Sequence, residues 1–251
     1  MLILFVCAFY LMYSFICRNC RVCEMSGIKI PIEHRGKTFS DAGLRPLKRP
    51  LASVVNCAIK RLFDIIISLI ALIGVLSWLI PIMSIIIKLT SKGPVFFSQK
   101  RTGKDNQSFY MLKFRSMEVN NDSDTIAAAH NDPRITAVGK FMRLTHIDEF
   151  PQFLLTLTGK MSIIGPRPHM LKHTVEYSEG VEDFMVRHEV KPGISGWAQV
   201  EGWKGSIMST NEIEKRIEAD IWYVENWSLW LDIKICLKTF ILILKAVSTH
   251  R

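Results

Sequence analysis

The sequence lacks both short glycine motifs that cradle nucleotide phosphates, G-x-x-x-x-G-K-[ST] and G-x-G-x-x-G, so neither a P-loop nor a dinucleotide fold is expected. Cysteine is sparse, six in 251 residues, which excludes a disulfide scaffold at this length. Cys17, Cys20 and Cys23 form C-x-x-C-x-x-C, but His34 is the only fourth ligand nearby, and idle reduced thiols are the simpler reading. No internal repeat or low-complexity tract is visible. Acidic residues are also short, 23 against 32 Lys and Arg, a net charge of +9. No nucleic-acid motif accompanies that excess, and long apolar runs have no role on a duplex. An anionic membrane face is the expected partner, since it attracts each Lys or Arg by about 1 kcal/mol.

Charge is missing altogether from two stretches. Residues 1–17 carry none, and Arg18 and Arg21 follow. Without an n-region or a cleavage site this is no secretory signal. Residues 1–23 read as a short membrane anchor whose basic end keeps the rest of the chain cytoplasmic, with a poorly ordered leader as the alternative. Residues 24–59 read as a linker ending in a helix start near Ser53. The second stretch lies between Asp64 and Lys88, 23 uncharged residues, long enough for the ~30 Å hydrocarbon layer. Pro81 interrupts it and predicts a bend near Ile80. Both flanks are basic, with Lys60 and Arg61 before and Lys88 and Lys92 after. A re-entrant helix over 60–90, broken at Pro81, satisfies both features; a kinked spanning helix is the alternative.

Residues 91–251 have the texture of a small catalytic and interfacial part. "GPVFFSQ" and "SFYMLKFRSM" are strand-like. "AVGKFMRL" and "PQFLLTLTG" are helix-like, "IIGPRP" is a turn, and "KPGISGWAQVEGW" is a glycine-punctuated loop. Ile213, Ile217, Ile221 and Val224 share one helical face. The tail "LWLDIKICLKTFILILKAV", with Trp227 and Trp230 at its entrance, suits the plane of a membrane interface, and a core helix with a lysine edge is the other reading. The fold class is therefore α+β, mainly helical, with few short strands, and 60–251 forms one domain.

"RLTHIDEFPQF" sets Asp148 and Glu149 side by side. Pro151 has no N–H for the carbonyl of Ile147, so an intact helix should start near Ile147 or Asp148, with both acids at its positive end. Acids there are commonly caps. The cations argue for more: Arg143 lies five residues upstream, and Lys113, Arg115, Arg134 and Arg167 each sit among Gly, Pro or aromatic residues rather than in charge runs. Cations gathered around two acids suggest a diphosphate and a divalent metal. Mg²⁺, commonly held by one or two carboxylates and substrate phosphate oxygens, suits Asp148 and Glu149. Asp122 and Asp124 form D-x-D, a metal motif of many glycosyltransferases, but the chain before it lacks the alternating strands and helices of a nucleotide fold, and a solvated loop is expected.

From Lys60 to Thr239 the chain resembles the bacterial sugar transferases, the monotopic phosphoglycosyltransferases. "KRLFD", "SKGPVFFSQKRTG", "KFRSM", "DPRIT", "RLTHIDEFPQF", "GKMSIIGPRP", "KPGISGWAQV" and "NWSLWLDIKICLKT" follow in family order, with the subgroup that uses undecaprenyl phosphate and UDP-glucose the most similar. The resemblance implies that Asp148 is a nucleophile attacking the β-phosphate of a UDP-sugar, that UMP leaves, and that undecaprenyl phosphate takes the phosphosugar. It implies Mg²⁺ at Glu149, phosphates at Lys113, Arg143 and Arg167, a re-entrant helix, and a place at the cytoplasmic face of a bacterial inner membrane. It leaves room for a homo-oligomer, for galactose in place of glucose, and for an inactive lipid-binding relative. Four positions depart from the family: Ile80 stands where Ser often precedes the proline, His146 and Ile147 where Ser-Leu often precedes the acids, and Glu201 where Asn is frequent. Residues 1–23 would be a remnant of the longer relatives' membrane region.

Overall fold

In the computed structural model, which describes residues 48–119, 132–181, 183–203 and 209–249, one helix organises the rest. The expected anchor, the C-x-x-C-x-x-C cysteines and the D-x-D lie outside the described residues. Helix α1 (Val54–Thr90) follows Ser53 at its N-cap and is 37 residues long, about 55 Å. Its buried residues recur every three to four positions: Lys60, Asp64, Ser68, Leu72, Leu76, Ile80, Met83, Ile87. Its other face exposes Val55, Leu62, Ile66, Ile70, Ile73 and Ile85. The N-terminal part thus buries polar groups and exposes apolar ones, the reverse of a helix packed in water.

Buried polar groups must find partners, and these do. Lys60 Nζ reaches Asp232 Oδ2 at 2.8 Å, the Ile164 carbonyl at 2.9 Å and Tyr223 OH at 3.1 Å. Asp64 Oδ1 accepts from Ser162 Oγ and the Ile163 N–H, both at 2.9 Å. The "KRLFD" residues therefore bolt α1 to the strand and helices that follow it. Helical bonding continues through Pro81 to Thr90, and the irregular turn lies at Leu72–Leu76, a π segment upstream of the Ile80 position expected from sequence. Pro81 cannot bond the Ser77 carbonyl, and the ladder accommodates it by widening the preceding turns. Ser77 Oγ donates to Ile73 O at 2.7 Å and Ser84 Oγ to Ile80 O at 2.6 Å, back-bonds of the kind that bend helices, one on either side of the proline.

After α1 an antiparallel hairpin pairs β1 (Phe96–Thr102) with β2 (Ser108–Phe114), Phe97 opposite Lys113. Its tip places Asp105 and Asn106 at φ of 53° and 58°, the two left-handed positions of a type I′ turn, tolerated by Asp and Asn. His188 secures the tip. Its Nδ1 lies 2.7 Å from Asn106 Oδ1, which can only accept, so Nδ1 carries a proton and donates. Burial, aided by the charge of Arg187, pushes the His188 pKa down to about 3. The unfolded chain therefore gains a proton near pH 6.5 that the native state refuses until about pH 3. Stability should fall by up to ~1.4 kcal/mol per pH unit across that window. Unfolding midpoints measured against pH should lose this one-proton slope in His188→Gln.

Helix α2 (Ala137–Leu144) starts at Thr136, whose Oγ1 caps the Gly139 N–H at 2.9 Å. A Cβ at Gly139 would lie 1.9 Å from the Ser116 carbonyl oxygen. Gly139→Ala should therefore cost roughly 3 kcal/mol, read as a lower unfolding midpoint. Then come α3 (Gln152–Leu157), β3 (Ser162–Ile164), α4 (Leu171–Gly180), β4 (Gly193–Ser195), α5 (Trp197–Val200), α6 (Thr210–Asn226) and α7 (Leu229–Thr249). Strands β3 and β4 pair in parallel, Ser162 with Gly193 and Ile164 with Ser195, a pairing the loop-like sequence did not announce. One core lies between the second half of α1, the hairpin, Met142 and α3; the other joins β3, α6 and α7. Ile217 and Val224 are buried on α6 as the stripe predicts, but Arg216 and Asp220 share their face. On α7, Asp232 and Ile235 are fully buried while Trp230, Leu237, Phe240 and Leu244 are exposed.

Candidate active site

The two acids occupy a short 3₁₀ turn (Ile147–Glu149) between α2 and α3, not the first turn of a continuous α-helix. His146 makes the corner in the left-handed region at φ 56°, with its side chain exposed, and Pro151 serves as the N-cap of α3. At six residues, α3 offers little dipole. The charge that governs the acids comes from side chains.

Three elements supply it. Lys113, on β2, places Nζ 2.6 Å from Glu149 Oε1. Arg167, in the turn after β3, places Nη2 2.9 Å from the same oxygen, with Nη1 at 3.5 Å from Oε2. Arg143, on α2, is aimed by Ser116 Oγ at 2.9 Å and adds positive potential at Asp148. Both acids are nearly buried, 6% and 9% exposed, yet their environments diverge. Burial pushes the Asp148 carboxyl up, reinforced by Glu149 and opposed by Lys113 and Arg143. Burial would also raise Glu149, but the charges and hydrogen bonds of Arg167 and Lys113 outweigh it and hold Glu149 well below the usual carboxylate range. Neighbouring groups whose pKa values are driven apart are suited to different tasks. Glu149 is an ion-paired anchor, while the Asp148 carboxylate accepts no hydrogen bond from any described residue.

Two of the cations read from sequence are used elsewhere. Arg115 is buried and turned to the end of α1, donating to the Lys92 and Ser91 carbonyls, the latter at 2.9 Å. It is a tie for the loop after α1 and is not brought to the acids. Arg134 pairs with Asp132 at 2.6 Å. The donor set fits Mg²⁺: two adjacent hard carboxylates, Asp148 unbonded and Glu149 Oε2 with one long contact, leave the remaining positions to water and phosphate oxygens. No group of three His, Cys, Asp or Glu occurs among the described residues, so a closed all-protein cage is not offered.

The turn that carries Arg167 is held at every carbonyl. Pro166 O accepts from the Gly193 N–H at 3.0 Å, Arg167 O from Arg187 Nη2 at 2.7 Å, Pro168 O from Arg101 Nη1 at 3.5 Å, and His169 O from the Thr102 N–H at 3.1 Å. Sequence reading passed over Arg187 and its partner Asp220. The available signal was Asp220 itself, a charge on the apolar stripe of α6.

Known proteins resemble this chain over most of its length. A family model described as bacterial sugar transferase matches residues 55–246. The UDP-glucose:undecaprenyl-phosphate glucose-1-phosphate transferase of Escherichia coli (strain K12) is 46% identical over 195 residues, covering 77% of this chain and 42% of the relative. The enzyme of the same name from Klebsiella pneumoniae is 44% identical over 209 residues, 83% of this chain and 45% of the relative. The UDP-N-acetylgalactosamine-undecaprenyl-phosphate N-acetylgalactosaminephosphotransferase of Aeromonas hydrophila is 43% identical over 190 residues, 75% and 44%. The chain spans less than half the length of these three relatives. The family match runs from the first turn of α1 into α7 and takes in the acid pair with its three cations, so the chain belongs to the bacterial sugar transferase family.

Proposed function

We propose that this chain transfers a sugar-1-phosphate from a UDP-sugar to undecaprenyl phosphate at the cytoplasmic face of a bacterial inner membrane, as the first step of a polysaccharide repeat unit. The carrying observation is the unbonded, buried Asp148 carboxylate beside three cations and an ion-paired Glu149. An Asp148 oxygen attacks the β-phosphorus, the bond from that phosphorus to the bridging oxygen breaks, and UMP leaves with the oxygen. An oxygen of undecaprenyl phosphate then attacks the same phosphorus, and Asp148 departs as a carboxylate. Covalent transfer lets one site serve a soluble donor and a membrane-held acceptor in turn. Lys113, Arg143 and Arg167 hold the phosphoryl oxygens and oppose their charge. Mg²⁺, held by Glu149 Oε2 and Asp148, would add Lewis-acid stabilisation of the same oxygens. UDP-glucose, the donor in the names of the Escherichia coli and Klebsiella pneumoniae relatives, is the first donor to test and UDP-galactose the second.

The seat in the bilayer follows from α1 and α7. A spanning helix would carry one half of α1 to the far side, whereas both halves pack on the same catalytic part through residues from Lys60 to Ile87. The reading this supports is a re-entrant α1, apolar face in lipid, with α7 lying in the interface on Trp230 and Phe240. Single cysteines at Ser53 and just after Gly93 should both be shielded from an impermeant thiol reagent outside intact cells, and labelling of only one would mean that α1 spans. The reaction is tested by UMP release from purified protein given undecaprenyl phosphate, Mg²⁺ and a panel of UDP-sugars. Release with one sugar, lost in Asp148→Asn, supports the proposal; lipid binding without release from any sugar replaces it with an inactive lipid-binding protein.

A further inference from the structure

Arg187 is 1% exposed and makes four close contacts. Nε and Nη2 donate to Asp220 Oδ2 on α6 at 3.0 and 2.6 Å, Nη2 donates to the Arg167 carbonyl at 2.7 Å, and Nη1 lies 2.7 Å from His169 Nδ1. Since guanidinium can only donate, His169 Nδ1 accepts and that ring carries its proton on Nε2. The planar fork thus grips the main chain at residue 167 and the side chain at 169, and is itself gripped by a buried carboxylate. Arg167 has a 34% exposed side chain, against 17% for Lys113, and is open to an incoming diphosphate. Its guanidinium also needs to meet Glu149, so both its rotamer and its backbone must be placed.

We infer that Arg187, locked by Asp220, is a positioning residue for donor binding: it sets the Arg167 backbone so that the Arg167 guanidinium meets Glu149 and the diphosphate of a UDP-sugar together. The inference rests on the proposed donor class and adds what orients its phosphate-binding arginine. Lysine cannot substitute, because a point charge opposite Asp220 cannot also reach the Arg167 carbonyl and His169 in one plane.

A purely structural ion pair makes a different prediction. Replacing both members of a buried pair by apolar residues of similar volume is often neutral or stabilising. Arg187→Met/Asp220→Leu in the full chain, in lipid nanodiscs, also takes a counter-charge from the buried Arg216, so its unfolding midpoint is read beside its UDP affinity; the folded variant should bind UDP about 10- to 100-fold more weakly, the scale of a small misplacement of a binding group. Calorimetry with UDP gives this readout whether or not UMP is released, so failure of the reaction reading and failure of this one are told apart. Where UMP release is measured, the donor KM should rise more than kcat falls. In an Arg167→Ala background the double change should weaken UDP binding no further, because Arg187 acts through Arg167. Wild-type UDP affinity in the folded double variant, or the same fold-loss with and without Arg167, overturns the inference. Arg187→Lys guards against a double variant that fails to fold: it keeps the charge opposite Asp220, and it should show the same weakened UDP binding, while wild-type affinity there also overturns the inference.

Discussion

Asp148→Asn should lose UMP release by ~10⁶-fold, the scale on which enzymes fall when a covalent nucleophile is removed. An amide oxygen cannot form the phosphoester, and Glu149 cannot take over, because its Oε1 is occupied by Lys113 and Arg167 and its charge is held there. The same substitution should not destabilise the protein. Asp148 accepts no hydrogen bond from a described residue, and burial already disfavours its charged form, so the neutral isostere removes an unfavourable burial without removing a partner. Unchanged or higher unfolding temperature with abolished turnover separates nucleophile from scaffold. Glu149→Gln should behave in the opposite way, lowering the unfolding temperature because two cations lose their common anion. If Asp148→Asn retained UMP release, the covalent step would have to be abandoned.

The second large effect is on stability. Lys60→Met should destabilise the protein by about 3–5 kcal/mol, the cost of leaving a buried carboxylate without its counter-charge. Asp232 is 0% exposed and accepts from Lys60 Nζ at 2.8 Å, Tyr223 OH at 2.7 Å and Trp227 Nε1 at 3.0 Å. Without Lys60, two neutral donors remain for a full charge. Lys60→Met/Asp232→Leu should recover most of the loss, since Tyr223 OH can keep its bond to the Ile164 carbonyl at 3.2 Å. Unfolding in nanodiscs measures both, and a double variant no better than the single would mean that the node is not held by charge pairing. The location gives the node a wider consequence. It joins α1, α6 and α7 to Ile164, three residues before Arg167, so the helices read as seated in lipid and the turn proposed to bind phosphate share one fastening.

Much of the architecture is visible in local pattern. The alternating aromatic stretches around "VFFSQ" and "FYMLKF" form the hairpin, "AVGKFMRL" is α2 with its threonine cap, and the Ile217–Val224 stripe buries as its spacing predicts. Such features depend on neighbours within a few residues, which is the range over which sequence period and caps act. Features set by distant partners were not visible. The irregular turn of α1 lies at Leu72–Leu76 rather than at Pro81, in a stretch whose Leu72 and Leu76 are buried against distant parts of the chain. Strands β3 and β4 are three residues each and read as turn and loop, since their pairing joins segments some thirty positions apart.

The candidate site divides in the same way. Sequence by itself determined the chemical inventory: two adjacent acids, a proline that ends the preceding bonding pattern, and a set of arginines and lysines among Gly, Pro or aromatic residues rather than in charge runs. It could not distribute the cations. Lys113 and Arg115 stand two apart, but alternate residues near the end of a strand can part company where the strand stops: Lys113 meets Glu149, while Arg115 turns back to the carbonyls at the end of α1. Only tertiary structure assigned Glu149 to the cations and left Asp148 unbonded, because hydrogen-bond geometry between β2, α2 and the turn after β3 exists only once both cores have closed. Only tertiary structure, too, brought Arg187 behind Arg167 and Lys60 to Asp232, pairs separated by 20 and 172 positions, since a buried charge is tolerated only where the fold delivers its partner.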